Sequence, residues 1–85
     1  MKSFTYTITD QKGMHARPAG MLVKKAKEFP CDIRIEANGK GADARKMFAV
    51  MGLGIKAGDT VTITAAGDQE EAAAAELEAF LKQSL

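Results

Sequence analysis

Alternating apolar and polar residues along the chain predict strands that each bury one face. The first alternation is FTYTIT over residues 4–9, where threonines separate aromatic and aliphatic residues. Residues 32–36 and 60–65 repeat this pattern, and residues 40–44 form a short strand between them. Asn38-Gly39 favours a tight hairpin before that short strand, because both residues accept a positive φ.

Other segments have apolar residues three and four positions apart, which predicts helices with one buried stripe. The stripe of the first helix consists of Ala19, Leu22, Val23 and Ala26. Pro18 falls in the first turn of this helix, where a missing N–H costs little. Phe29-Pro30 ends it, because the residue before a proline disfavours the helical conformation. Residues 47–53 are apolar all round and form a second, short helix.

The last helix is predicted to begin at a capping box, with Asp68 as the N-cap and Glu71 at the third helical position. Its buried stripe comprises Ala73, Ala74, Leu77, Phe80 and Leu81. The element order is therefore β-α-β-β-α-β-α. Because each strand has one apolar face and each helix one apolar stripe, we expect an α/β (α+β) open-faced sandwich, with three helices covering one face of a four-stranded sheet.

The chain length of 85 residues indicates a single domain, residues 1–85. Cys31 is the one cysteine, which excludes an internal disulfide and a multi-cysteine zinc site, and we interpret it as a small residue at a strand edge. No apolar run reaches the ~18–20 residues of a membrane span, and the first residues lack the signal-peptide pattern. We therefore expect a cytoplasmic protein without direct membrane insertion.

The net charge of +1 conceals an uneven distribution. Residues 1–58 hold 11 of the 12 Lys and Arg and five of the 11 acids, whereas residues 59–85 hold Lys82 and six acids. A basic surface favours an acidic protein, a phosphate or a nucleic acid as ligand, although an ordinary solvated surface has the same composition. Sheet-based RNA-binding domains stack bases on exposed strand aromatics. Since Phe4 and Tyr6 fall on the apolar face, we expect no nucleic-acid partner.

The candidate chemistry lies at His15, the one histidine, at or just before the N-terminus of the first helix. A lone histidine is usually a bystander, but here Ala16, Arg17 and Pro18 are predicted as a phosphate-binding helix N-terminus, with the Arg17 guanidinium suited to phosphate oxygens. A neutral imidazole is nucleophilic near pH 7, so His15 can accept a phosphoryl group. The nearest acids in sequence, Asp10 and Glu28, have no evident place beside it. This favours a carrier over a hydrolase, with no metal and no cofactor.

A docking surface for partner proteins is predicted beside this histidine. Met47, Phe48 and Met51 share the side of the short helix that faces away from Val50 and Leu53, and methionines adapt to more than one partner. The first helix adds a basic edge, which would steer acidic partners and consists of Arg17, Gly20, Met21, Lys24 and Lys27. The alternative is that the five apolar residues are all core and that the basic edge is a solvated face.

The segment GMHARPA, residues 13–19, resembles the active-site signature of the HPr family, the histidine-containing phosphocarriers of the bacterial sugar phosphotransferase system (PTS). NGK at 38–40, KMFAVMGLG at 46–54 and the strand region 58–67 also fit, so the resemblance covers essentially the whole chain. It implies a four-stranded antiparallel sheet with three helices on one face.

The resemblance also implies a function. His15 would take a phosphoryl group from phosphorylated enzyme I, hold it on Nδ1 with Arg17 stabilising it, and pass it to an enzyme IIA component of a sugar permease. Such a protein is a carrier and not an enzyme, and a carrier that shares one face between its partners is expected to be a monomer. The alternative function is a regulatory or binding module of a nitrogen-related or other non-sugar branch, for which His15 and Arg17 are not needed.

One position departs from the family pattern. Lys46 occupies the site where many Gram-positive relatives carry a regulatory serine. A lysine cannot be phosphorylated by a serine kinase, and its positive charge at a helix start opposes the helix dipole. We therefore predict that seryl regulation is absent.

Overall fold

A computed structural model describes residues 1–85. The seven elements follow the predicted order, with strands β1 (Lys2–Thr7), β2 (Asp32–Ala37), β3 (Lys40–Asp43) and β4 (Thr60–Ala66), and helices α1 (Ala16–Ala26), α2 (Met47–Met51) and α3 (Glu70–Ser84). The third strand is one residue shorter than expected. The short helix stops at Met51, because the residues after it form turns.

All strand pairs are antiparallel, and the strand order is β1-β4-β2-β3. The register aligns Phe4 with Ile63, Ile63 with Ile35, and Ile35 with Ala42, so one row of apolar side chains crosses the whole sheet. The three helices cover this face, and α1 packs against both α2 and α3. The fold is the predicted open-faced sandwich.

The opposite face of the sheet carries hydroxyl and charged side chains. Thr5 pairs with Thr62 and Thr7 with Thr60, and the latter two hydroxyls lie 3.1 Å apart. Arg34 continues the same face on β2. We call this the open face, because no helix covers it.

The core consists of apolar residues only. Its members include the predicted stripe of α1 and most of that of α3, and Cys31 is buried at the start of β2. Ala74 is the exception, since it is half-buried at the margin. The hairpin prediction is confirmed, with φ of 56° at Asn38 and 76° at Gly39.

The predicted capping box at the start of α3 is wrong by one residue. Gln69, not Asp68, occupies the N-cap, in a left-handed conformation with φ of 64°. Gly67 has φ of 124° and turns the chain so that its N–H donates to Glu70 Oε1 at 3.0 Å. The Glu70 carboxylate therefore closes the turn before the helix, and Glu71 is exposed.

Candidate phosphoryl-transfer site

His15 is the N-cap residue of α1, and its extended backbone (φ −95°, ψ −177°) directs the chain into the helix. Its carbonyl accepts the N–H of Ala19 at 3.0 Å, which closes the first helical turn. The imidazole is half-exposed, caps no N–H and forms no ion pair. The ring nitrogens are therefore free to react.

The first turn of α1 leaves two backbone N–H groups without an acceptor, those of Ala16 and Arg17. Pro18 has no N–H, so Ala19 is the first helical residue whose N–H is bonded within the helix. Free N–H groups at the positive end of the helix dipole bind anions. The arrangement provides an anion-binding site next to His15.

The Arg17 side chain is exposed and has no carboxylate within ion-pair distance. With His15 it lines a surface depression, whose other lining residues are Asp10, Pro18, Met21 and Ser84. A guanidinium without a partner can hold two oxygens of a phosphoryl group through parallel hydrogen bonds.

Asp10 is the residue that the sequence reasoning missed. The sequence gives no indication that it lies beside His15, yet it lines the same depression. Its Oδ1 accepts the N–H of Lys12 at 2.8 Å, a turn geometry typical of aspartate, and an aspartate shortly before a turn glycine could have indicated it. Ser84 had no such signal, because it reaches the depression only through the packing of α3.

The loop before His15 is fixed by close backbone packing. Gly13 has φ of 63°, and a Cβ at this position would lie 2.5 Å from the Ile55 carbonyl oxygen. Met14 is buried and its N–H donates to the same oxygen at 3.0 Å. The loop therefore rests on residues 55 and 56 and holds His15 at the helix end.

The predicted docking residues lie on α1, at its C-terminal end and on α2, and most are exposed, with one correction. Phe48 is 90% exposed, Met21 50% and Met51 37%, whereas Val50 and Leu53 are buried as expected. Met47 does not share this exposure: it is half-buried and packs against the hydrophobic core. Gly20 is half-buried, and the remaining basic-edge residues are exposed, namely Lys24 and Lys27.

Lys46 is the exposed N-cap of α2 and forms no side-chain cap hydrogen bond. The sequence-predicted residues thus come from two elements, α1 and α2, which pack side by side.

Two carboxyl groups elsewhere have pKa values below their ordinary range. Hydrogen bonds from the Lys56 N–H, and then from the Asn38 amide, lower the pKa of Asp59. The N-terminal ammonium and the Gly67 N–H lower the pKa of Glu70. Both groups stabilise loops and neither lines the depression at His15.

Comparison with known proteins places the chain among phosphocarriers. The family model PTS-HPr, the PTS HPr component phosphorylation site, matches residues 2–83. The phosphocarrier protein HPr of Vibrio cholerae is 43% identical over 76 residues, which is 89% of each chain. The crystal structure of HPr-C-His from Thermoanaerobacter tengcongensis superposes with a TM-score of 0.92 at 35% identity, covering 98% of this chain and 93% of that one.

A second solved structure, the histidine-containing phosphocarrier protein of Mycoplasma, gives a TM-score of 0.94 at 35% identity over 98% of this chain and 94% of that one. The family match spans nearly the whole sequence and includes His15 and Arg17. No helix in the structure has the length and apolar character needed to cross a membrane. The chain belongs to the HPr family and is a phosphocarrier of the phosphotransferase system.

Proposed function

We propose that His15 is the phosphoryl acceptor, receiving the group from phosphorylated enzyme I and passing it to an enzyme IIA component. The observation that carries this proposal is the free imidazole beside two N–H groups without acceptors and an unpaired guanidinium. Those groups are what a transferred phosphoryl group requires, because its charge is spread over three oxygens.

The transfer follows from this geometry. A ring nitrogen of neutral His15, expected to be Nδ1, attacks phosphorus, and an N–P bond forms as the bond from phosphorus to the donor breaks. The electron pair of the broken bond stays with the donor. The Ala16 and Arg17 N–H groups and the Arg17 guanidinium hold the oxygens throughout, and Pro18 fixes the first turn. The protein is then a carrier and not an enzyme, since partners load and unload it.

We propose one docking face for both partners, consisting of Gly20, Met21, Lys24, Lys27, Phe48 and Met51 with the edge of Met47. Exposed apolar side chains give it contact area, and its lysines favour acidic partners. One shared face suits a cytoplasmic monomer that meets its two partners in turn.

The test is the intact mass of the protein after incubation with phosphoenolpyruvate, magnesium and enzyme I. We expect one added phosphate that is lost in mild acid, is absent in His15→Ala and forms more slowly in Arg17→Ala. Lys12→Ala is the matched control, since it removes a nearby exposed cation that does not line the depression. A phosphate retained in His15→Ala would overturn the assignment of His15. An Arg17→Ala rate equal to that of the control would overturn the role of the guanidinium.

A further inference from the structure

The inference concerns the carboxylate of Asp10, which the transfer scheme above does not use. Asp10 lines the depression that also contains His15, Arg17 and Pro18. It is the one acidic side chain among the lining residues. A carboxylate is an unexpected neighbour for a site that receives a phosphoryl group, because both are negative.

Three hydrogen bonds hold Asp10 in place. Its Oδ1 accepts from the Lys12 N–H at 2.8 Å, its carbonyl accepts from the Gly13 N–H at 2.9 Å, and its own N–H donates to the Leu85 carbonyl oxygen at 2.9 Å. The carboxylate therefore has a fixed location at the rim and is not a freely rotating surface charge.

Asp10 does not neutralise the cation of the site. No ion pair joins it to Arg17, and it forms no hydrogen bond with His15. Its interaction with the site is consequently a through-space electrostatic one.

We propose that the negative charge of Asp10 sets the phosphoryl-transfer potential of the carrier. This inference rests on His15 being the acceptor. Moving a PO3⁻ unit onto the imidazole adds net negative charge to the depression, and the fixed carboxylate raises the free energy of that charged form. The loaded protein is thereby kept ready to give the group away. A carrier that bound the anion more strongly and lacked this repulsion would accept the phosphoryl group well and release it poorly.

The structure supplies an isosteric test. Asp10→Asn keeps a side-chain oxygen to accept the Lys12 N–H and removes only the charge. Asp43→Asn is a matched control, because Asp43 Oδ1 accepts the Arg45 N–H at 2.9 Å in the same two-residue turn geometry. Asp43 lies at the end of β3 and lines a different depression, so its charge is remote from His15.

The measurement is the ratio of phosphorylated to unmodified protein, by intact mass, at equilibrium with enzyme I and a fixed ratio of phosphoenolpyruvate to pyruvate. We expect the ratio to rise roughly three- to tenfold in Asp10→Asn, about the size of a Coulombic interaction between two fully hydrated unit charges a few ångströms apart. Asp43→Asn should leave it unchanged. The gain should shrink when the salt concentration is raised, because salt screens exposed charges.

Equal ratios in Asp10→Asn and the wild type, or equal changes in both variants, would overturn the proposal. A lower ratio in Asp10→Asn would also overturn it, and would show that the carboxylate supports the loaded form. If the wild type accepts no phosphoryl group, the proposed function fails and this inference falls with it. If the wild type is loaded normally and Asp10→Asn matches it, only the inference about Asp10 fails.

Discussion

At the scale of single residues, Gly13 determines whether His15 is presented correctly. Its φ of 63° is in the left-handed region, and the space for a Cβ is taken by the Ile55 oxygen at 2.5 Å and Lys56 Cα at 2.8 Å. Both neighbours are backbone atoms, so they can yield only if the two loops separate. A substitution at Gly13 therefore acts on the site through the loop and not through chemistry.

We predict that Gly13→Ala lowers the free energy of unfolding by about 2–4 kcal/mol and reduces phosphoryl acceptance. Gly54→Ala is the control, since Gly54 has φ of 65° but nothing lies within 4 Å of its Cβ position. Gly54→Ala should lower the free energy of unfolding by only about 1 kcal/mol, because a residue with a Cβ disfavours the left-handed conformation. Urea unfolding of both variants measures the difference. Equal losses would mean that the contact with Ile55 does not constrain the loop.

Lys46 gives a second prediction at this scale. The exposed N-cap of α2 lacks a side-chain acceptor, which a serine would provide. We expect Lys46→Ser to stabilise the fold by about 0.5–1 kcal/mol in thermal or urea unfolding. An HPr serine kinase from a Gram-positive bacterium should label Lys46→Ser and leave the wild type unlabelled. Labelling of the wild type would place a regulated serine elsewhere, at Ser3 or Ser84.

At the scale of elements, the short helix α2 has one exposed side and one buried side. Phe48 is 90% exposed and Val50 is fully buried, although they are two residues apart. We predict that Phe48→Ala changes the unfolding free energy by less than about 0.5 kcal/mol but raises the concentration needed for transfer. Val50→Ala should instead cost about 1–3 kcal/mol of stability. Transfer kinetics unaffected by Phe48→Ala would remove this helix from the docking face.

The loop between α2 and β4 is joined to the β2–β3 hairpin through one side chain. Asn38 Nδ2 donates to the Leu53 carbonyl oxygen at 3.1 Å and to Asp59 Oδ2 at 3.2 Å, and Asp59 Oδ2 also accepts the Lys56 N–H at 2.9 Å. The bonds from the Lys56 N–H and from Asn38 to the Asp59 carboxylate favour its ionised form, which is why the pKa of Asp59 is lowered. The charge of Asp59 thus helps to hold the two loops together.

The lowered pKa of Asp59 predicts a pH dependence of stability. A carboxyl group whose pKa is lower in the folded state stabilises the fold above its unfolded pKa of about 3.9, and this contribution is lost as the pH falls through the folded value. As the pH falls below 4, the free energy of unfolding of Asp59→Asn should therefore decrease less than that of the wild type. The decrease for Asn38→Ala should be intermediate. Unfolding curves between pH 2 and pH 7 test this. Parallel profiles for all three proteins would contradict it.

At the scale of the whole molecule, the proposed docking face serves both partners, so occupancy by one should exclude the other. This predicts that His15→Ala, which accepts no phosphate but keeps the docking face, inhibits transfer between enzyme I and the wild type competitively. The double variant His15→Ala/Phe48→Ala should inhibit less strongly. Transfer rates measured at increasing concentrations of each variant show how strongly the single and the double variant inhibit. Noncompetitive inhibition would indicate separate docking surfaces.

Much of this architecture is predictable from the sequence, because buried residues recur along the chain at the period of a strand or a helix. Ile33, Ile35 and Ile63 are recognisable as core residues from their alternation alone. Alternation does not identify strand neighbours, so the pairing of β4 with both β1 and β2 became clear only from the structure. The start of α3 was misplaced, because the left-handed Gln69 and the turn at Gly67 outweigh the local preference of Asp68 for an N-cap. Asp10 was missed, because proximity across a loop leaves no periodic signal.

The open face offers a place to attach the protein without touching the proposed docking face. Helices α1 and α2 cover the apolar side of the sheet, whereas Thr5 and Thr62 lie on the other side. Cys31, the one native thiol, is 2% exposed, so a thiol introduced by Thr5→Cys would react first with a maleimide dye or a surface linker. The protein can thus be immobilised through the open face, away from α1 and α2, and loading by one partner and unloading by the other can be followed on the same molecule.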